Sequence, residues 1–325
     1  MIKFSIIGTS EASISHIKGI KKSDQADCKY IYSRNINRAN EFSKRFKLIP
    51  TDNFNLILDD KNVDALIITT EPSRHATLAV KALDFDKHVL IEKPVDSDLD
   101  NAKKLLDNVK SKKSKLVASV VSQNRFDPII TEMKKQLELG SIGEPFLCEV
   151  KMFWNRNSEY YSRGNGWRGN IGNVLLNQGV HFLDLVIWFF GYPEKIDSRL
   201  YQVNSDINCF DSAIVTLRFP HNMYASMIFS TACRYSEPFE FNIYGQKGNL
   251  NYRKRTGLSN RLPIKAHLIS EMIKKIYWTY KSPLLLQLED FINSINYNKP
   301  PAVSIREAYE VLNVVKECEN NFVDF

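Results

Sequence analysis

Along the first third of the chain, short apolar runs recur at residues 2–7, 28–32, 65–69, 88–91 and 116–121, each too short to be a helix. Between them, at 38–46, 75–83 and 98–109, apolar residues return every three or four positions, as on a helix with one buried face. This alternation predicts a parallel sheet, whose neighbouring strands need helix-length crossovers. After about residue 121 the pattern changes. A helical stretch at 128–139 precedes longer strand-like runs at 146–153, 212–219, 223–230 and 239–243. The later runs follow one another without helices, which predicts a mainly antiparallel sheet in a second domain. One apolar, periodic helix interrupts it at 177–190, with Gly191 and Pro193 as its stop signal.

The chain therefore reads as α/β with two domains, 1–122 and 123–325, the final helix near Ala308 returning to the first. Its 325 residues, 43% hydrophobic and 25% charged, exclude a disordered tail protein. A net charge of +7 suits anionic small molecules. Acidic and basic residues are interspersed with no aromatic-rich basic stripe, which argues against nucleic acid. Cys28, Cys148, Cys209, Cys233 and Cys318 stand singly, so neither a metal site nor a disulfide framework is expected. No signal-peptide pattern opens the chain and no apolar run reaches about 18 residues, so a cytoplasmic protein without a transmembrane segment is expected. The basic segment 253–275 reads as a solvated face, with a lip over a diphosphate or a membrane-surface contact as the alternatives.

The first apolar run ends in Gly8-Thr9-Ser10-Glu11-Ala12-Ser13. This is the place for a G-x-G-x-x-G turn, which seats a pyrophosphate on helix amides. Only the first glycine is present; Ser10 adds a hydroxyl, and a plain strand-to-helix turn is the alternative. At the end of the second run stand Ser33, Arg34 and Arg38, with no carboxylate to bind a ribose 2′-hydroxyl. A hydroxyl with two guanidinium groups suits a 2′-phosphate, so NADP is preferred over NAD. An exposed helix start is the other account of the two arginines.

Further on come Thr69-Thr70-Glu71-Pro72-Ser73-Arg74-His75, Glu92-Lys93-Pro94, Asn124-Arg125-Phe126-Asp127-Pro128, Gly140-Ser141-Ile142-Gly143-Glu144-Pro145 and Asn177-Gln178-Gly179-Val180-His181-Phe182-Leu183-Asp184. In this order, and continuing through Tyr244-Gly245-Gln246-Lys247-Gly248, they resemble the Gfo/Idh/MocA oxidoreductases, named for glucose-fructose oxidoreductase and inositol dehydrogenase. The resemblance implies an N-terminal Rossmann domain, a doubly wound parallel sheet. It also implies a C-terminal α/β domain whose open sheet often mediates dimers or tetramers, and NAD- or NADP-linked oxidation or reduction of a sugar or polyol carbon. It marks Gly8, Thr9, Ser10, Thr69, Thr70, Pro72, His75, Glu92 and Lys93 as cofactor-side residues, Arg125, Trp167 and Arg168 as substrate-side ones, and a cis Glu92-Lys93-Pro94 segment; a helix-end or interdomain contact is the alternative for His75 and Arg125.

Hydride transfer at a carbinol carbon requires a group to take and return the hydroxyl proton. Lys93, at the carboxyl end of a buried strand, is the first candidate, since burial and a nearby oxidised nicotinamide favour its neutral form. Helical spacing places Asn177, His181, Asp184 and Trp188 on one face, so that His181 shares the hydroxyl proton and Asn177 binds the substrate. A strand-end surface lysine and a core histidine are the alternatives. Tyr161, in the aromatic loop 160–166, suits carbohydrate. Asparagine at 177, where many relatives carry aspartate, tilts the expected substrate from a free sugar to a sugar nucleotide. The other readings are an NADP-dependent reductase of a free sugar or polyol carbonyl, and a non-catalytic binding protein.

Overall fold

The computed structural model describes residues 1–111, 116–163, 166–253 and 282–320. They form two compact units, one from Met1–Gln123 and Ser282–Tyr309, the other from the described residues of Asn124–Lys281 and Glu310–Phe325. Apart from Arg253, the basic segment 253–275 lies outside the described residues, as do Gly164 and Asn165 of the aromatic loop.

In the first unit, β1 (Ile2–Ile7), β2 (Ala26–Tyr32), β3 (Ile49–Thr51), β4 (Ala65–Ile68), β5 (His88–Ile91) and β6 (Ala118–Val120) make one sheet. Its order is β3-β2-β1-β4-β5-β6 and every pair is parallel. This is the doubly wound Rossmann order, whose connections reverse direction between β1 and β4 and open a crevice at the strands' carboxyl ends. β4 is buried at all four positions, as a strand covered on both faces must be. The crossovers are α1 (Glu11–Ile20), α2 (Ile36–Phe46), α3 (Phe54–Asp59), α4 (His75–Asp84) and α5 (Leu99–Ser111). α1 buries Ser13, His16, Ile17 and Ile20, one helical stripe. The late helix Pro283–Tyr297 adds Leu285, Leu288, Phe291 and Ile292 to the core around Phe4, Ile6 and Ile31. Its buried Gln287 donates to the Val120 carbonyl at 2.8 Å and accepts from the Ser122 amide at 2.9 Å, fixing the end of β6.

The second unit carries α6 (Pro128–Glu138), β7 (Pro145–Phe153), α7 (Ser158–Ser162), α8 (Trp167–Asn170), α9 (Val180–Phe190), β8 (Lys195–Tyr201), β9 (Ser212–Phe219), β10 (Met223–Ser230), β11 (Glu240–Gly245) and β12 (Gly248–Arg253). The sheet order is β12-β11-β7-β10-β9-β8, antiparallel except where β7 pairs with β10. Along β10, buried Met223, Ala225, Met227 and Phe229 alternate with more exposed Tyr224, Ser226, Ile228 and Ser230, so one face is covered and one open. α9 supplies the cover. Phe182 lies 5.8 Å from Phe229 and 4.9 Å from Phe239, ring to ring, and Phe189 lies 5.2 Å from Phe241. Rings of this size bury enough apolar area to anchor a helix on a sheet. Among the described residues, no helix is long and apolar enough to cross a membrane.

Candidate functional site

Gly8 ends β1 with φ +123, and an added Cβ would sit 2.7 Å from Thr69 Oγ1 and 2.8 Å from the Thr69 carbonyl carbon at the end of β4. Glycine is therefore required by conformation and by space. The missing glycines have been replaced by hydroxyl chemistry. Ser10 caps α1 in a reciprocal box, its amide donating to Ser13 Oγ at 3.0 Å and its own Oγ accepting from the Ser13 amide. Ser13, fully buried, donates from Oγ to the Gly8 carbonyl at 2.9 Å and lies 2.8 Å from Thr69 Oγ1. Close packing of helix on strand, the third glycine's task, is here made by a hydroxyl triangle. Thr9 is half-buried beside the turn.

At the end of β2, half-buried Ser33 accepts from the Asn35 amide, and Asn35 in turn caps α2. Arg34 reaches across to the segment after β4, where its Nη2 donates to Glu71 Oε1 at 2.7 Å. Arg38 is exposed on the first turn of α2. Pro72 is buried at the head of a short helical turn, and half-buried Thr70 donates to the Glu71 carbonyl. The buried ring of His75 lies between the Pro94 carbonyl at 2.8 Å and the Thr70 carbonyl at 2.9 Å, joining the turns after β4 and β5.

Beyond β5, the Lys93-Pro94 peptide is cis. The Lys93 amide donates to Glu92 Oε2 at 3.2 Å, while Glu92 Oε1 meets His16 Nε2 of α1 at 2.8 Å. Burial opposes ionisation of Glu92, but the His16 hydrogen bond and the charges of His16, Lys93 and His75 outweigh it and hold the carboxyl below its ordinary value. His16 thus secures the residue preceding Lys93. Its one sequence signal is its place on the buried stripe of α1.

In the second unit the helix starts earlier and differently than its periodicity predicts. Leu175–Gly179 is a π-helical turn leading into α9. The turn holding Asn177 is therefore wider than the α-helical turn that holds His181; such turns recur at functional sites. Buried Asn177 donates from Nδ2 to the Arg168 carbonyl at 3.0 Å. A Cβ on Gly172 would stand 2.5 Å from Asn177 Oδ1 and 2.7 Å from that carbonyl, a packing requirement the sequence reading passed over. His181 is half-buried in the first turn of α9.

Arg125 and Tyr161 both engage neighbouring side chains. The Arg125 guanidinium forks onto Asp184, Nε to Oδ2 at 2.9 Å and Nη2 to Oδ1 at 2.7 Å, under the Trp188 ring. Tyr161 is buried with its hydroxyl 2.6 Å from Thr231 Oγ1, and burial pushes its phenol above the ordinary range. Arg168 stacks on Trp167 at 4.6 Å and Tyr160 at 4.9 Å. Among the described residues no cluster of three or more His, Cys, Asp or Glu is arranged to hold a metal ion.

A doubly wound sheet with a glycine turn at its switch point is the frame of a dinucleotide-binding oxidoreductase. Sequence profiles agree: one described as "Oxidoreductase family, NAD-binding Rossmann fold" matches residues 2–120, and its companion, "Oxidoreductase family, C-terminal alpha/beta domain", matches 134–321. The chain belongs to this Gfo/Idh/MocA oxidoreductase family. It is 23% identical over 317 residues to myo-inositol 2-dehydrogenase of Thermotoga maritima, covering 93% of this chain and 91% of that one. It is 21% identical over 284 residues to scyllo-inositol 2-dehydrogenase (NAD(+)) of Bacillus subtilis, covering 82% and 77%. Its fold matches the WlbA dehydrogenase from Bordetella pertussis, solved with NADH and UDP-GlcNAcA, with TM-score 0.86, 22% identity and coverage of 98% and 95%. Enzyme class follows from the family: an oxidoreductase acting on CH–OH groups.

Proposed function

We propose that the protein transfers a hydride between NADP, or less favourably NAD, and a carbinol carbon of a sugar or sugar nucleotide. The observation that carries this reading is the intact cradle at the switch point, where Gly8, Ser13 and Thr69 keep the close approach that a degenerate glycine motif seemed to lose. Gly8, Thr9 and Ser10 would hold the pyrophosphate, Thr69, Thr70 and Pro72 would border it, and Glu92 and His75 would shape the nicotinamide end. When bound, the dinucleotide supplies the hydride acceptor or donor.

The chain's own groups then move the proton. Lys93 Nζ takes the substrate hydroxyl proton in oxidation and returns it in reduction, and the His181 imidazole is the second group assigned to that proton. Asn177, which cannot ionise to act as a base, binds a substrate hydroxyl. Trp167 and Arg168 hold the substrate beside it. The inositol dehydrogenases and the structure with UDP-GlcNAcA support the substrate class. The open sheet face, with Tyr201, Ile214 and Tyr224 exposed, supports a homo-oligomer. The test is a screen of sugars, polyols and sugar nucleotides with either oxidised dinucleotide, read by reduced-nicotinamide absorbance; turnover of none of these classes would overturn the reading.

Arg34 and Arg38 are assigned to the 2′-phosphate. Arg34→Ala is expected to weaken NADPH about tenfold more than NADH, the loss of one charge-assisted hydrogen bond. Equal losses for both would remove the assignment. Gly172→Ala is expected to displace Asn177 from the Arg168 carbonyl and lower kcat/KM by about 10²-fold, as an ångström of misplacement does. Unchanged kinetics would show that Asn177 need not be held there.

A further inference from the structure

The loop after β7 gathers cations without their counter-charges. The Arg156 guanidinium lies 5.1 Å from the Tyr160 ring centre and 5.2 Å from that of Trp154. The Arg168 guanidinium lies 4.9 Å from the same Tyr160 ring. Two like charges therefore share one ring and stand at most about 10 Å apart, within a screening length or so of each other. Among the described residues neither has a carboxylate partner. The nearest acid in sequence, Glu159, is paired with Arg163 at 2.9 Å. Arg156 Nη1 donates to the Asn155 carbonyl, but its buried Nε has no acceptor.

Stacking occupies the face of a guanidinium and leaves its N–H donors pointing outward in the plane, the fork that phosphate oxygens accept. A dianionic ligand would remove the mutual repulsion and complete the buried Nε. The platform is also tied to the turn that carries Asn177. The Tyr160 hydroxyl accepts from Gln178 Nε2, and the Arg168 carbonyl accepts from Asn177 Nδ2.

We propose that Arg156 and Arg168, stacked on Tyr160, form a subsite for the diphosphate of a sugar-nucleotide substrate. This rests on the oxidoreductase reading above and narrows its substrate class. The cofactor's pyrophosphate has the same chemistry, but its cradle is the Gly8 turn of the other unit, so the arginine pair is assigned to the substrate.

The test is calorimetry on the whole purified protein with UDP, and with inorganic pyrophosphate, in the absence of dinucleotide. Both probes are expected to bind the wild type, with affinity falling as salt rises. Arg156→Gln and Arg168→Gln should each weaken UDP about tenfold, with unchanged thermal midpoints and unchanged NADH affinity by fluorescence titration. Arg156→Lys and Arg168→Lys keep the charge but lose the fork, and should fall between. Failure of both probes to bind the wild type, or equal UDP affinity in the glutamine variants, overturns the subsite even where NADH binds and a free sugar is oxidised. Parallel loss of NADH and UDP in those variants assigns the arginines to the dinucleotide and overturns it equally. UDP binding that the arginines control, in a protein that oxidises no sugar, polyol or sugar nucleotide, keeps the subsite and defeats the oxidoreductase reading instead.

Discussion

Lys93→Ala is expected to lower kcat by about 10²–10⁴-fold, the usual contribution of a positioned acid–base group, while leaving the thermal midpoint and the affinity for reduced dinucleotide unchanged. Lys93 stands just past β5, at the carboxyl end of a parallel sheet, where such sheets bind ligands. Three contacts fix the chain there: the Lys93 amide on Glu92, Glu92 on His16, and His75 on the Pro94 carbonyl. A side chain anchored this firmly at its backbone loses little stability on truncation, because the anchors are main-chain and neighbouring groups. Lys93→Arg separates the two remaining roles. Arginine keeps the positive charge but does not release its proton in proteins, so it should be as inactive as alanine. Retained activity in the arginine variant would make Lys93 an electrostatic group, and wild-type activity in the alanine variant would remove it from the mechanism.

The second large effect is on stability. Arg125→Ala is expected to cost about 3–5 kcal/mol, because removing one partner of a buried pair strands the other charge. The side chains of Arg125 and Asp184 are only 3% and 9% exposed, and Trp188 closes over the guanidinium. Urea unfolding monitored by tryptophan fluorescence reads the loss. Replacing both residues, as Arg125→Met with Asp184→Leu, should restore most of it, since an apolar pair of similar volume leaves no charge behind. If Arg125 instead serves the substrate, as its motif implies, the alanine variant will keep its stability and show a raised KM.

The framework was legible because period is a physical consequence of which faces are buried. β1, β5, β9 and β10 lie within the apolar runs that announced them, and the alternation of strand and helix sufficed for a parallel sheet. β3 is three residues long and α3 six, too short for any period to show. β8 and β12 interleave charged and amide side chains on the open face, which hides their strand character from a search for apolar runs. The candidate site was legible as motif and not as geometry. Glu92, Lys93 and His181 stand in motifs that single them out, but a π-helical turn carries no composition signal, and so the wide turn that holds Asn177 was not foreseen. The pairing of Arg125 with Asp184 joins residues 59 positions apart, beyond the reach of local pattern. Ser10 and Ser13 looked like losses because the glycine rule concerns space; the Ser13 hydroxyl ties helix to strand by bonding, and the Ser10 hydroxyl caps α1.

The most direct measurement is a titration of the purified protein with NADPH and with NADH, followed by reduced-nicotinamide fluorescence. Saturable binding, tighter for NADPH, is the predicted result and would show that the serine-substituted turn seats a dinucleotide. No saturable signal from either would contradict the account, because every proton-transfer role assigned to Lys93 and His181 depends on a dinucleotide bound at that turn.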